Sequence, residues 1–287
     1  MDRTFPSPSP APSQTMQHFP STSWGKPRYD SFDPYATFPV HQGRKADAFS
    51  QGVQHTQQPI VTGTSVIALK YKDGVILAAD NLASYGSLAR FKDVRRLHKL
   101  GQKSLIGAGG DMADFQQLKR MLENLMTEES ILDDGHELST NQVFEYLSNV
   151  MYAKRSKMDP LWNTCLVAGW DTTTDAPFLS YVDLVGVTYS APSLATGFGA
   201  HLATPLLRKE LDARGPDGEK NLSEEDAVKI VRNCMKVLFY RDARSMNKFQ
   251  VAKVTKDAVE IGEPESSETS WGFAEGLRGY GNSDETV

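Results

Sequence analysis

The stretch that decides the fold is Gly63-Thr64-Ser65-Val66-Ile67-Ala68-Leu69-Lys70-Tyr71, followed by Lys72-Asp73-Gly74-Val75-Ile76-Leu77-Ala78-Ala79-Asp80. Two short apolar runs joined by a Lys-Asp-Gly turn predict antiparallel strands at 64–71 and 74–80. A glycine–threonine step opens the first strand, and a carboxylate ends the second. A threonine freed as an N-terminus can act as a nucleophile activated by its own amine. The fate of Thr64 therefore decides whether the chain is a hydrolase.

Composition restricts the classes of function. The 287 residues carry a formal net charge of -5, which argues against nucleic-acid binding. Neither a membrane span nor a convincing signal sequence is evident. Cys165 and Cys234 are far apart in apolar surroundings, so we expect buried free thiols in a reducing compartment, with neither a metal site nor a disulfide.

The chain divides into three parts. Residues 1–55 hold eight of the fifteen prolines and few aliphatic residues, which predicts a largely disordered leader. Residues 56–261 form the folded domain. Residues 262–287 form an acidic tail that also contains aromatic side chains, which are better explained if another surface receives them.

The domain shows a regular order of elements. Beyond the first two strands, apolar periodicity predicts further strands at 95–99, 103–109, 163–171, 177–184, 187–190, 194–196, 248–255 and 258–261. It predicts helices at 111–128, from a capping box at Ser139–Gln142, at 200–213, and from Ser223 to Asp242. Strands alternating with pairs of helices predict an α+β fold of two stacked sheets, each covered on its outer face by helices.

Residues 56–261 resemble the β-type subunits of the proteasome. The resemblance rests on Thr64, Asp80, the Ala108-Gly109-Gly110 turn, Gly197, Gly199, and Tyr240-Arg241-Asp242-Ala243 with Ser245. It implies the four-layer αββα sandwich of the N-terminal-nucleophile hydrolases. In active members of the family, a lysine and an aspartate assist the freed threonine, and a second aspartate and two serines hold its amine.

Several positions depart from that catalytic pattern. The lysine position falls on Arg96, whose guanidinium practically never gives up a proton. Gly197-Phe198-Gly199-Ala200 replaces the Gly-Ser-Gly-Ser of active members, so both hydroxyls are missing. The resemblance therefore implies no catalytic residue: the vestigial positions are Thr64, Asp80, Arg96, Asp242 and Ser245. Two alternatives remain: an active threonine endopeptidase that uses Thr64 after self-cleavage at Gly63, and a free-standing hydrolase acting on small amides.

The run Ser84-Tyr85-Gly86-Ser87-Leu88-Ala89-Arg90-Phe91 resembles a non-catalytic branch of the family. This implies a structural subunit of the 20S core, needed for β-ring assembly and half-core joining in ubiquitin-dependent degradation. The resemblance further implies cleavage of the leader between His55 and Thr56, and a tail that contacts the opposite β ring, with the side chains Trp271, Phe273, Leu277 and Tyr280. The implied partners are other α and β subunits and assembly chaperones, in cytoplasm and nucleus, with no cofactor, nucleic acid or membrane.

Overall fold

The computed structural model describes residues 58–272. The leader, the cleavage site between His55 and Thr56, and the tail residues Phe273, Leu277 and Tyr280 lie outside the described residues. The elements in chain order are β1 (Val61–Gly63), β2 (Val66–Tyr71), β3 (Gly74–Asp80), β4 (Ala83–Tyr85), β5 (Leu88–Phe91), β6 (Leu97–Leu100), β7 (Ser104–Asp111), α1 (Met112–Ile131), α2 (Thr140–Ser156), β8 (Asn163–Asp171), β9 (Ala176–Val182), β10 (Thr188–Ser190), β11 (Ser193–Ala195), α3 (Gly199–Asp212), α4 (Glu224–Arg241), β12 (Phe249–Thr255) and β13 (Val259–Ile261).

The strands form two antiparallel sheets. The first is eight-stranded, in the order β10-β9-β8-β7-β1-β4-β5, with β6 pairing to the beginning of β7. The second is five-stranded, in the order β11-β2-β3-β12-β13. Strand β2 pairs with β3 from Val66 opposite Ala79 to Tyr71 opposite Gly74, which confirms the hairpin predicted from the opening stretch.

Alternation along the strands separates the core into three layers. In β2, Val66 and Ala68 point between the two sheets, whereas Ile67, Leu69 and Tyr71 pack under α3 and α4. Helices α1 and α2 cover the outer face of the first sheet in the same way. Successive side chains of a strand point to opposite faces, so an apolar strand of this kind serves two layers at once. The α+β composition predicted from the sequence is confirmed.

Helices α2 and α4 begin where the sequence predicts their capping residues. Ser139 caps α2 in a complete capping box with Gln142, and Ser223 caps α4 by accepting from the Asp226 N–H. Asp111 caps α1 through bonds from the N–H groups of Ala113 and Asp114. Within residues 58–272, none of the helices combines the length and the apolar character needed to cross a membrane.

The predictions were incomplete around Thr64. The predicted strand 64–71 is β2, which begins two residues later, and β1, β4 and β5 were not predicted. The predicted strand 95–99 is β6, which begins at Leu97 and so leaves Arg96 just before it. The three strands that were not predicted lie next to one another in the first sheet. The first of them, β1, ends directly before Thr64.

The site around Thr64

Thr64 lies where the chain crosses from one sheet to the other. The residues before it form β1, which pairs with β7 on one side, Gly63 opposite Gly110, and with β4 on the other, Thr62 opposite Ser84. The Ile60 N–H also donates to the Asp111 carboxylate at 2.8 Å. Thr64 is therefore an internal residue whose upstream neighbours are paired on both edges.

Arg96 is the largest fully buried side chain among the described residues, at 1% exposure. Its Nε donates to the Asp80 carbonyl at 2.9 Å, its Nη1 to the Thr64 carbonyl at 2.8 Å, and its Nη2 to the Ser65 carbonyl at 2.9 Å. Nη2 also forms an ion pair with the Asp80 carboxylate. The planar guanidinium thus joins the end of β3 to the crossing between the two sheets.

The Asp80 carboxyl experiences opposing influences. Burial raises its pKa above the ordinary value, while the Arg96 guanidinium and the Met246 N–H, which donates at 3.1 Å, favour the charged form. A buried carboxylate needs such partners, because an unpaired buried charge is strongly destabilising. Asp80 and Arg96 are consequently a mutually dependent pair.

The Thr64 hydroxyl belongs to a second network. It donates to Asp242 Oδ2, while Asp242 Oδ1 accepts from the Arg244 N–H at 2.9 Å. Ser245 Oγ donates to the Asp242 carbonyl at 2.7 Å and so fastens the turn that follows α4. The Thr64 hydroxyl thus binds the Asp242 carboxylate, whereas the Thr64 carbonyl binds the Arg96 guanidinium.

Two further hydroxyls hold the neighbouring loop. The Val66 N–H donates to Thr196 Oγ1 at 2.9 Å, and the Gly199 N–H donates to Ser65 Oγ at 2.9 Å. Ser65 therefore satisfies a main-chain N–H in the first turn of α3. Phe198, at the N-cap of that helix, is 56% exposed.

A small open cavity of about 280 Å³ lies beside Thr64. Its walls include Thr62, Gly63, Gly110, Phe198 and Arg244. The glycines beside this cavity are closely packed. A Cβ on Gly109 would lie 2.7 Å from the Thr64 carbonyl oxygen, and one on Gly63 would lie 2.5 Å from Arg96 Cδ. The glycines are thus required by close packing around the crossing.

All five predicted vestigial residues lie in this one region. Thr64 contacts Arg96 through its carbonyl and Asp242 through its hydroxyl; Asp80 contacts Arg96, and Ser245 contacts Asp242. Sequence reasoning missed Ser65, Thr196 and Asp111. Asp111 carried a usable signal, since it directly precedes a helix and could have been assigned as an N-cap.

Trp271 is the tail residue of the prediction that lies within 58–272. Its ring packs edge-on against Phe239 and Tyr240 of α4, at centroid distances of 5.8 and 5.1 Å. Upstream, Arg232 binds both carboxylate oxygens of Glu265. The beginning of the tail is thus attached to its own domain, and 41% of Trp271 remains exposed.

Known proteins are similar to this chain over most of its length. A family model described as proteasome subunit matches residues 60–254. The chain belongs to the proteasome subunit family. Among its relatives, "Probable proteasome subunit beta type-7" of Schizosaccharomyces pombe is 51% identical over 258 residues, covering 90% of this chain and 95% of the relative.

Two other relatives agree with this assignment. "Proteasome subunit beta type-4" of Xenopus laevis is 47% identical, covering 79% of this chain and 91% of the relative. "Proteasome subunit beta type-7" of Saccharomyces cerevisiae is 45% identical, covering 93% of this chain and 98% of the relative. The resemblance to β-type proteasome subunits that the sequence predicted is confirmed. The type-7 and type-4 subunits are the branch that we expected from the run at residues 84–91. The comparisons support the structural-subunit interpretation over that of an active threonine endopeptidase.

Proposed function

We propose that the chain is a non-catalytic structural subunit of the 20S proteasome core, with the four-layer αββα fold of the N-terminal-nucleophile hydrolases. Its role is to build the β ring and to help join two half-cores in ubiquitin-dependent degradation. The observation that carries the proposal is β1, the strand directly before Thr64, which is paired on both sides.

The position of β1 matters because of how such a nucleophile works. In self-cleavage, the hydroxyl of Thr64 would attack the carbonyl of Gly63, so residues 61–63 would be the acyl side of the reaction. A substrate attacked by the same oxygen would need its acyl side in the same place. Strand β1 fills that place between β7 and β4. A peptide therefore finds no free strand edges beside this threonine.

The side chains around Thr64 support the same conclusion. Arg96 donates to the carbonyls of Thr64 and Ser65, and a guanidinium, unlike the amine of a lysine, does not serve as a proton-exchanging group beside a hydroxyl. The Thr64 nitrogen is part of a peptide bond as long as the preceding residues are kept, and an amide nitrogen is no general base. Thr64 would need both a proton-exchanging group beside its hydroxyl and a free amine before it could act as a nucleophile.

We place the cleavage of the leader between His55 and Thr56, so that the mature chain begins upstream of β1. The partners are other α and β subunits, with assembly chaperones during maturation. Both cysteines are free and buried, which fits a reducing compartment such as the cytoplasm or nucleus.

The test uses assembled core particles in which the threonine nucleophiles of the other β subunits have been mutated. Particles containing this chain are expected to show no peptidase activity and no labelling of Thr64 by a threonine-directed epoxyketone. The matched variant Arg96→Lys is expected to remain unlabelled, because β1 still occupies the acyl side. Covalent labelling of Thr64 in the unmodified chain would overturn the proposal. A chain that elutes alone on size exclusion under conditions where other subunits assemble would favour the free-standing hydrolase instead.

A further inference from the structure

The carboxylate of Asp111 holds the chain just upstream of β1. The pairing of β1 with β7 reaches upstream as far as Thr62, which lies opposite Asp111. Two residues earlier, the Ile60 N–H donates to Asp111 Oδ2 at 2.8 Å. Asp111 is 7% exposed and Ile60 is 52% exposed, so a buried acceptor holds a surface residue. The side chain therefore continues the attachment to β7 beyond the point where the main-chain ladder stops.

Asp111 is itself fixed at each of its polar atoms. Its second carboxylate oxygen, Oδ1, accepts from the N–H groups of Ala113 and Asp114 at 2.8 and 3.2 Å, which caps α1. Its N–H donates to the Trp162 carbonyl at 2.8 Å, and its carbonyl accepts from Asn163 Nδ2 at 2.7 Å. An acceptor that is already held in place loses little conformational entropy when it binds one more donor. Asp111 is therefore a preformed anchor for the upstream chain.

Within residues 58–272, Ile60 is the first residue whose main chain hydrogen-bonds to the rest of the domain. Gln58 and Pro59 are exposed, and Pro59 has no N–H to donate. A peptidase that binds its substrate as an extended strand does so through main-chain hydrogen bonds. Chain whose main-chain groups are already bonded must be released before it can be cut. Protection from trimming therefore begins at Ile60.

We propose that Asp111 is the positioning residue that sets where trimming of the leader stops. The inference rests on the proposed function, in which the leader is removed and β1 is retained. Cleavage between His55 and Thr56 leaves four residues, 56–59, before Ile60. Four extended residues span at most about 14 Å. A peptidase working beside the domain thus has a short free stretch on the downstream side of the bond that it cuts, and none beyond Ile60.

The anchor acts through the fraction of chains in which Ile60 is released. A hydrogen bond to a carboxylate is stronger than one between neutral groups, and its loss raises the released fraction by at least about tenfold. Cleavage of a transiently opened segment follows the population of the open form when opening and closing are fast. Without the anchor, more chains should therefore be trimmed downstream of Thr56. The pairing of β1 with β4 and β7 still holds residues 61–63, so the new ends should fall between Gln57 and Ile60.

The first experiment determines the N-terminus of this chain by mass spectrometry, in core particles purified from cells that express it at full length. Asp111→Asn keeps the shape of the side chain and one oxygen for the cap of α1, but its amide group cannot accept from the Ile60 N–H. Asp111→Ser also keeps a favoured N-cap residue, and it has a single side-chain oxygen. Both variants are expected to give at least about tenfold more chains that begin between Gln57 and Ile60.

Ser139→Ala is the matched control, because it removes the N-cap of a different helix, α2. This variant is expected to begin at Thr56, as the unmodified chain does. Asp111 variants that also begin only at Thr56 would overturn the inference. The same additional ends in Ser139→Ala would overturn it too, since a general loss of stability would then explain them. An unmodified chain that begins at Thr64 would instead refute the proposed function.

A second experiment leaves Asp111 intact. Deletion of residues 57–58 brings the bond between His55 and Thr56 two residues closer to Ile60. If the distance from the anchor sets the limit, the cut moves upstream along the sequence, and the mature chain is expected to begin at Gln54 or earlier. If the peptidase selects the sequence around the bond, the mature chain still begins at Thr56. A start at Thr56 or downstream of it would overturn the inference, even if the Asp111 variants fail to assemble.

Discussion

The guanidinium of Arg96 donates to the carbonyl oxygen of Thr64 at 2.8 Å, while the hydroxyl of Thr64 donates to Asp242. Arg96 therefore stabilises the main chain at Thr64 and leaves the Thr64 side chain to another partner. Thr64 is a junction between the two sheets. This relationship explains why substituting single residues should affect folding more than chemistry.

Replacing Arg96 by alanine should destabilise the folded subunit by about 3–5 kcal/mol, because the buried Asp80 loses its ion-pair partner. Arg96→Lys should lower the stability less, by about 1–3 kcal/mol, since one ammonium group cannot bind all the carbonyls that the guanidinium reaches. Chemical denaturation of the purified subunit measures both values. Arg95→Lys, at a half-exposed neighbour, is the control and should change stability by under about 1 kcal/mol. Equal stability of the Arg96 and Arg95 variants would contradict the assignment.

Gly63→Ala should destabilise the subunit by about 1–3 kcal/mol, because the added Cβ would lie 2.5 Å from Arg96 Cδ in a closely packed region. Gly272→Ala is the matched control, since a Cβ at that position meets no atom within 4 Å. Thermal unfolding of the two variants provides the comparison. If Gly63→Ala unfolds at the same temperature as the unmodified chain, the packing of Arg96 against Gly63 does not restrict the residue at position 63.

The strands near this site could be predicted from the sequence only where their apolar runs are long enough to show a pattern. The hairpin of β2 and β3 followed from two continuous apolar runs joined by a Lys-Asp-Gly turn, and counting from Thr64 and Asp80 placed Arg96 at the lysine position. Strand β1 was missed because Val61-Thr62-Gly63 is too short to show a period and pairs only with distant residues, Ser84, Tyr85, Gly110 and Asp111. Tertiary pairing of this kind leaves no local signal.

The contacts of Arg96 could not be predicted from the sequence either. Its charge predicted a difference from lysine, but the carbonyls that it binds come from residues 12 to 32 positions away along the chain. They converge only because the chain crosses between sheets at Thr64. Strands β4 and β5 were missed for another reason: Gly86 and Ser87 interrupt the run, so neither half is long enough to alternate.

Truncation after Gly272 should leave the stability of the isolated subunit unchanged and reduce joining of half-cores. Truncation after Ser266 should additionally lower stability by about 1 kcal/mol, because it removes the Asn247–Ser267 hydrogen bonds and the contact of Trp271 with Phe239 and Tyr240. Thermal melting and native gel analysis of assembly intermediates separate the two effects. Full cores formed at the normal yield by both truncated chains would show that the tail plays no part in joining.

Both cysteine thiols should resist iodoacetamide at pH 8 in the native subunit and react after unfolding. Burial raises the pKa of Cys165 to about 12. Because the unfolded thiol ionises from about pH 9 upward, the unfolded state binds fewer protons between these values, so the free energy of unfolding should fall as pH rises. In Cys165→Ala, the fall between pH 9 and 11 should be shallower. Identical slopes would show that this thiol does not contribute.

The most direct test of the central claim is N-terminal sequencing of this chain isolated from assembled core particles. The account predicts a mature N-terminus upstream of Val61, at Thr56, so that β1 is retained and Thr64 remains internal. A mature chain that begins at Thr64 would contradict it, because the threonine would then carry a free amine and the acyl side of the cleft would be open.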